Sequence, residues 1–343
     1  MAYCGICGTD LHEYLGGPIF PPPSGQKNPY TGAELPVILG HEFCGTIVEV
    51  GRDVAGFSVG QKAAVNPAMD DRHHGREPCE LCVVGRHNIC EHVTFYGLNA
   101  NGGGFSDEIT LKPICLVPVP DSLPLKLAGL AEPLAVAWHM IRMSGFEEGQ
   151  DVVVLGAGPI GCALTFLLRT SGARRILVSE ISASRAERAA DFGADKVVNP
   201  MDGSSQERPF PESDAVCSAV HEMMGIGADI TFDACGLQAT LDTAIACTKP
   251  GGVVFNVAIH EKPLSIQLNS LTLTEKKLLG GLCYTREDFE KVIGVLSTAG
   301  GEAEKFITSV VPLENAIEGG FHELINNTAD HVKILISVSG DDA

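Results

Sequence analysis

A chain of 343 residues with 45% hydrophobic side chains carries enough apolar surface for roughly two packed domains. Its 43 acidic side chains outnumber the 24 lysines and arginines, and the formal charge of −19 repels phosphate backbones and anionic lipid surfaces, which argues against nucleic acid and membrane partners. The opening MAYCGICGTD has no basic segment followed by an apolar core, so a cytoplasmic protein is expected, whose 12 cysteines stay reduced and serve as metal ligands rather than as a disulfide framework.

In chain order, residues 1–130 are rich in Gly, Pro, His and Cys. Short β-like runs at Phe43 to Val50, Lys62 to Asn66 and Phe105 to Leu111 predict an irregular, mostly β domain. From Asp151 the texture changes to alternating strand and helix. The predicted strands are Asp151 to Leu155, Arg175 to Glu180, Lys196 to Val198, Asp229 to Asp233, Val253 to Val257 and Lys277 to Leu282. Such alternation predicts an α/β fold with a doubly wound parallel sheet. Residues 199–213, with several Pro, Ser and Asp, read as a surface loop. Beyond Thr285 the pattern predicts a helix over Glu287 to Ser297, more helix over Leu313 to Asn326 and a strand over Val332 to Val338.

The stretch VVVLGAGPIG at 152–161 sets Gly156, Gly158 and Gly161 at G-x-G-x-x-G spacing behind an apolar run. Pro159 and Ile160 open a helix predicted over Pro159 to Leu168, and Glu180 closes the next strand. Gly156 suits the tight turn, Gly158 the approach of a pyrophosphate, and Gly161 close packing of helix on strand. A carboxylate at 180 accepts from ribose hydroxyls and repels a 2′-phosphate, so NAD is expected over NADP. Chance spacing among 39 glycines is the bland alternative, and the ordered strand, turn, helix, strand and acid argue against it. A membrane span over 152–168 is too short and is broken by glycine and proline.

CGICGTDLH at 4–12 and GHEFCG at 40–45 gather Cys7, Thr9, His12, His41 and Glu42. A thiolate, an imidazole and a carboxylate suit Zn²⁺, and fewer than four protein donors leave a position open for substrate. The ordinary alternative is a solvated His–Glu pair with Cys4, Cys7 and Cys44 packed in the core. The downstream dinucleotide motif favours the metal.

Over almost the whole chain, CGICGTDLHEY, LGHEFCG, GGGFSDEI, AEPLAVAWH, VVVLGAGPIG, LVSEISASR and CYTREDFE give a combination that resembles the zinc-dependent medium-chain alcohol dehydrogenases, in the butanediol and sorbitol dehydrogenase branch. The resemblance implies a GroES-like catalytic domain over 1–131 and 288–343, a Rossmann domain over 132–287, and an active site in the cleft between them. It further implies Cys7, His41 and Glu42 as ligands of a catalytic zinc, with Glu132 beside the metal, directly or through water. Thr9 would take the alcohol proton and His12 would relay it to solvent through the cofactor ribose, with Arg185 flanking the adenine. The implied reaction is reversible hydride transfer from a small secondary alcohol or vicinal diol to NAD, of the 2,3-butanediol to acetoin type, in a homodimer or homotetramer. A polyol of the sorbitol or xylitol type is the second reading. The rivals are a non-catalytic nucleotide-binding remnant and a zinc-free quinone reductase.

Two departures from the family pattern stand out. REPCELCVVGRHNIC holds Cys79, Cys82 and Cys90, but Arg76 falls where the family's structural zinc has its first thiolate. Arginine cannot ligate zinc, which leaves three sulfurs, and a single zinc per chain is expected; a second zinc would need His73, His74 or a nearby carboxylate as the fourth donor. The chain also starts almost on Cys7, so the family's first strands are expected to be missing, with an exposed sheet edge and lost packing beneath the metal ligand.

Overall fold

A computed structural model of the chain describes residues 1–202, 215–260 and 262–339; the loop expected over 199–213 lies outside them from residue 203 onward. Its contacts separate into two units, Met1–Ala135 with Tyr284–Ala343, and Val136–Cys283. No helix of the described residues is long and apolar enough to cross a membrane.

The first unit opens with strands β1 (Tyr3–Gly5), β2 (Glu42–Thr46), β3 (Lys62–Val65), β4 (Ala68–Met69), β5 (Thr94–Phe95) and β6 (Leu116–Pro118). Between and after them run helices α1 (Gly8–Gly16), α2 (Asp71–His74), α3 (Glu80–Val83) and α4 (Leu125–Ala128), and α5 (Ala131–Ser144) carries the chain into the second unit. The run Phe105 to Leu111, expected to be a strand, is not one. Single bonds from Gly104 N to Gly40 O and from Phe105 N to Leu39 O tie it down at 2.7 and 3.1 Å, and Ser106 Oγ then turns back onto Gly103 O at 2.7 Å. Alternating side chains thus cover the core without a ladder partner.

The second unit contains β7 (Asp151–Leu155), β8 (Arg175–Ser179), β9 (Lys196–Val198), β10 (Ala228–Asp233), β11 (Thr248–Asn256) and β12 (Lys277–Gly280), paired in parallel in the order β12-β11-β10-β7-β8-β9. Helices α6 (Pro159–Thr170), α7 (Ala183–Asp191), α8 (Ala215–Met224), α9 (Gln238–Cys247) and α10 (Asn269–Thr272) connect them. Every residue of β7 is buried, as a central parallel strand covered on both faces requires. Asp151 at its start accepts from Nε of both Arg174 and Arg175 at 2.9 Å. The strand order reverses between β7 and β10, which makes the carboxyl ends of these two strands a switch point where ligands bind in such sheets.

The chain then returns to the first unit with α11 (Arg286–Ala303), β13 (Ile307–Pro312), α12 (Glu323–Asn326) and β14 (Lys333–Ser337). The sheet there runs β13-β14-β1-β2-β3-β6. The edges of this sheet among the described residues are β13 and β6, and β1 is therefore an interior strand. Antiparallel pairing with β14 on one side and β2 on the other fills both of its edges, and Cys4 and Ile6 are buried beneath Cys7.

Candidate active site

Strand β1 delivers the chain to Ile6, whose N–H donates to Ile334 O at 3.0 Å, and α1 starts immediately afterwards with Cys7 as its N-cap. Asp10, fully buried in the first turn, accepts from Cys7 N at 2.9 Å through Oδ2 and from Gly40 N at 3.3 Å through Oδ1. The same Oδ1 stands 3.5 Å from His41 Nδ1. One carboxylate thereby fixes the two chain segments that bring Cys7 to His41. Gly40 takes φ +92°, and a side chain there would press on Cys4 Sγ at 2.7 Å. This glycine lets the turn before His41 pass under β1.

Ligand atoms of Cys7, His41 and Glu42 lie within 4.8 Å of one another. Glu42 is held by Lys333, whose Nζ donates to Oε1 at 2.7 Å and to Ile6 O at 3.0 Å and stands 2.6 Å from Oε2, off the line of a hydrogen bond to it. Gly5 leaves the space that the Glu42 carboxylate fills, since a Cβ at that position would overlap Oε2. His41 Nδ1 and Glu42 Oε2 are buried without a hydrogen-bond partner. Orphaned buried polar atoms are rare in folded chains, and together with a thiol they form a donor set that fits zinc.

The electrostatics are those of a site built around a cation. Burial pulls the His41 pKa down, but the charges of Asp10 and Cys7 outweigh it and leave the pKa raised. Lys333 behaves likewise, with burial opposed and overcome chiefly by Glu42. Glu132, in the first turn of α5, is raised to about 7 by burial and by repulsion from Glu42, against the pull of His41, Tyr284 and Lys333. It stands outside the three-donor group. Thr9 Oγ1 lies 3.7 Å from Cys7 Sγ, and His12 is exposed one helical turn further along α1.

In the second unit β7 is followed by Gly156, which has φ +96° and meets Cys235 Sγ closely enough that a Cβ would lie 2.5 Å from it. Gly158 caps α6 without a side-chain bond and has nothing within 4 Å of where a Cβ would be. Pro159 follows in the first turn with Ile160, and a Cβ on Gly161 would overlap the carbonyl oxygen of Gly156. An uncapped helix N-terminus facing open space fits a pyrophosphate. Glu180 follows β8 and is buried, accepting from Ala157 N at 2.8 Å and from Ile181 N and Ser182 N at 2.9 Å. It therefore also fixes the glycine turn. Arg185 lies half-buried on α7.

A second donor group joins Cys79, Cys82 and Cys90 to Asp71, again with all ligand atoms within 4.8 Å. The expected histidines are elsewhere. His73 Nδ1 accepts from Asp70 N at 3.0 Å and its Nε2 faces Cys115 Sγ at 3.1 Å, while His74 Nε2 points at His92 O at 3.1 Å. Asp71 is fully buried, accepts from Cys79 N at 2.8 Å and His92 Nδ1 at 2.7 Å, and has a pKa well below the usual carboxylate range because these bonds overcome its burial. Arg76 is half exposed, with its guanidinium 5.7 Å from the ring centre of Tyr30 and its Nε 3.9 Å from Asp71 Oδ1, so its charge borders the donor group without supplying a ligand.

Residues 1–121 match the alcohol dehydrogenase GroES-like domain, and residues 159–298 match the zinc-binding dehydrogenase family. The chain is 36% identical to (R,R)-butanediol dehydrogenase of Saccharomyces cerevisiae, an alignment covering 98% of this chain and 90% of that protein. It is 35% identical to the enzyme of the same name from Bacillus subtilis, again over 98% and 90%. The X-ray structure of 2R,3R-butanediol dehydrogenase from Bacillus subtilis superposes with a TM-score of 0.88 at 34% identity, covering 98% of this chain and 90% of that one. The chain belongs to the zinc-dependent medium-chain dehydrogenases. Within that family it falls in the butanediol and polyol dehydrogenase group, oxidoreductases acting on CH–OH groups.

For a zinc-dependent dehydrogenase of this group, three supporting residues escaped sequence reasoning. Asp10 had a readable signal, an acid three residues after an N-cap position in Cys7-x-x-Asp10. Asp71 is an oxygen donor eight residues ahead of Cys79, and the sequence allows a nearby carboxylate at this site without singling this one out. Lys333 gave no signal, being 291 residues from its partner Glu42.

Proposed function

We propose that the chain catalyses NAD-dependent, zinc-assisted oxidation of a small secondary alcohol or vicinal diol, with 2,3-butanediol to acetoin as the first substrate pair and polyols as the second. The observation that carries this reading is the meeting of Cys7, His41 and Glu42, three donors that leave a fourth position open. When bound, zinc supplies the Lewis acidity that favours the alkoxide and NAD supplies the hydride acceptor. Thr9, beside Cys7, accepts the hydrogen bond of the substrate hydroxyl. His12, exposed on the same helix, passes the proton to solvent, which an imidazole with a reference pKa of about 6.5 does readily near neutral pH. Asp10 orients the His41 ring and Lys333 holds the Glu42 carboxylate, so both donors are placed before a metal arrives. Glu132 acts as the neighbouring acid of the metal, directly or through water.

The uncapped start of α6 at Gly158, Pro159 and Ile160 supports pyrophosphate binding, and Glu180 with Arg185 supports recognition of the adenosine half. Asp71, Cys79, Cys82 and Cys90 support a second, structural zinc. β12 is an edge strand bearing the exposed Leu279 and is followed by the exposed Leu282, which supports a homodimer or homotetramer. The test is kcat/KM on (R,R)-2,3-butanediol and on sorbitol with each nicotinamide cofactor. The diol with NAD is expected to win, NADP being weaker by at least about tenfold because a carboxylate facing a 2′-phosphate costs a few kcal/mol. Equal efficiency with NADP rejects the role of Glu180, and absence of turnover by a zinc-loaded protein that still binds NAD returns the chain to a nucleotide-binding protein.

A further inference from the structure

Cys217 and Cys247 belong to neither donor group nor to the dinucleotide turn. Cys217 stands in the first turn of α8 and Cys247 is the last residue of α9, and their sulfurs approach to 2.7 Å. Non-bonded carbon atoms rest about 3.5–4.0 Å apart, whereas a disulfide closes at about 2.05 Å, so this pair is already most of the way to bonding distance. Cys79 and Cys90, among the metal donors, are 3.9 Å apart. Cys247 is fully buried and Cys217 is partly open, which gives a reagent one sulfur to reach. Lys276 adds a cation: its Nζ donates to Ile245 O at 2.6 Å, two residues before the end of α9, and its pKa is lowered by burial and pulled back up by the charges of both sulfurs.

We propose that Cys217 and Cys247 form a reversible disulfide that staples α8 to α9, closed by a small disulfide oxidant such as glutathione disulfide and opened by dithiols. The Cys217 thiolate attacks one sulfur of the oxidant, forming a mixed disulfide and releasing one thiolate. Cys247, losing its proton, then attacks Cys217 Sγ; the internal S–S bond forms and the second thiolate leaves. Two cysteines lose two electrons, the oxidant gains them, and the two protons end on the released thiols. The closed link spans 30 residues of chain, and restricting that loop in the unfolded state raises thermal stability.

The experiment treats the zinc-loaded, full-length protein with glutathione disulfide, digests it without reduction and maps the linked peptides by mass. A peptide joining Cys217 to Cys247 is expected, with an upward shift of several degrees in Tm that dithiothreitol reverses. Cys217→Ala and Cys247→Ala should each abolish both effects; the half-buried site of Cys217 makes the first variant the safer one to fold. A Cys217–glutathione adduct that persists while Cys247 remains a thiol overturns the proposal. So does a link between Cys79 and Cys90 forming in its place, or an oxidised Tm shift that survives in Cys217→Ala.

Discussion

A buried ammonium is tolerated only where a carboxylate meets it, and Lys333, with 5% of its side chain exposed against 1% for Glu42, is such a case. Removing one partner leaves the other charge buried and uncompensated, which typically costs about 3–5 kcal/mol. Lys333→Met in the metal-free protein should therefore lower the unfolding free energy read from urea denaturation by an amount in that range, because Glu42 is then left beside Glu132 without its ammonium partner. Lys333→Arg should recover much of the loss. A Met variant within 1 kcal/mol of the parent would show that the pair does not hold Glu42. Asp10 works at the same scale, accepting from Cys7 N and Gly40 N, so that two donors separated by 34 residues of chain share one anchor.

The turn between β7 and α6 separates packing from binding in two neighbouring glycines. A Cβ at Gly161 would overlap the backbone carbonyl of Gly156, so Gly161→Ala must push α6 away from β7, an overpacking cost of roughly 1–3 kcal/mol. A Cβ at Gly158 meets nothing within 4 Å and φ there is −69°, which an alanine accepts. Gly158→Ala should keep the parental Tm yet lose about tenfold or more in NAD affinity, because the methyl occupies the space into which a pyrophosphate descends. Gly161→Ala should lose both. Differential scanning calorimetry and titration calorimetry on the two variants read this directly, and a Gly158→Ala protein with undiminished NAD affinity would place the pyrophosphate elsewhere.

For the whole molecule the expected stoichiometry is two zinc ions per chain, revised from one because Asp71 completes the donor group of Cys79, Cys82 and Cys90. Elemental analysis of protein purified without chelator should give a ratio near two, and Asp71→Ala should bring it near one with a lower Tm, since metal bound only by the folded state contributes folding free energy. A ratio near one in the parent would mean that Asp71 only hydrogen-bonds Cys79 and His92. The sequence by itself determined the parallel sheet and the glycine turn, because strand and helix periods and the need for positive φ at Gly156 are local properties of the chain. It also singled out Cys7, His41 and Glu42, whose ligand atoms meet in the structure. Only the tertiary structure decided that Phe105 to Leu111 finds no strand partner, that Ile307–Pro312 joins β14 in parallel, and that β1 is an interior strand. The same holds for Lys333 on Glu42 and for Asp71 in place of a histidine. Each of these depends on which distant segment lies alongside, and no local pattern of residues encodes that pairing.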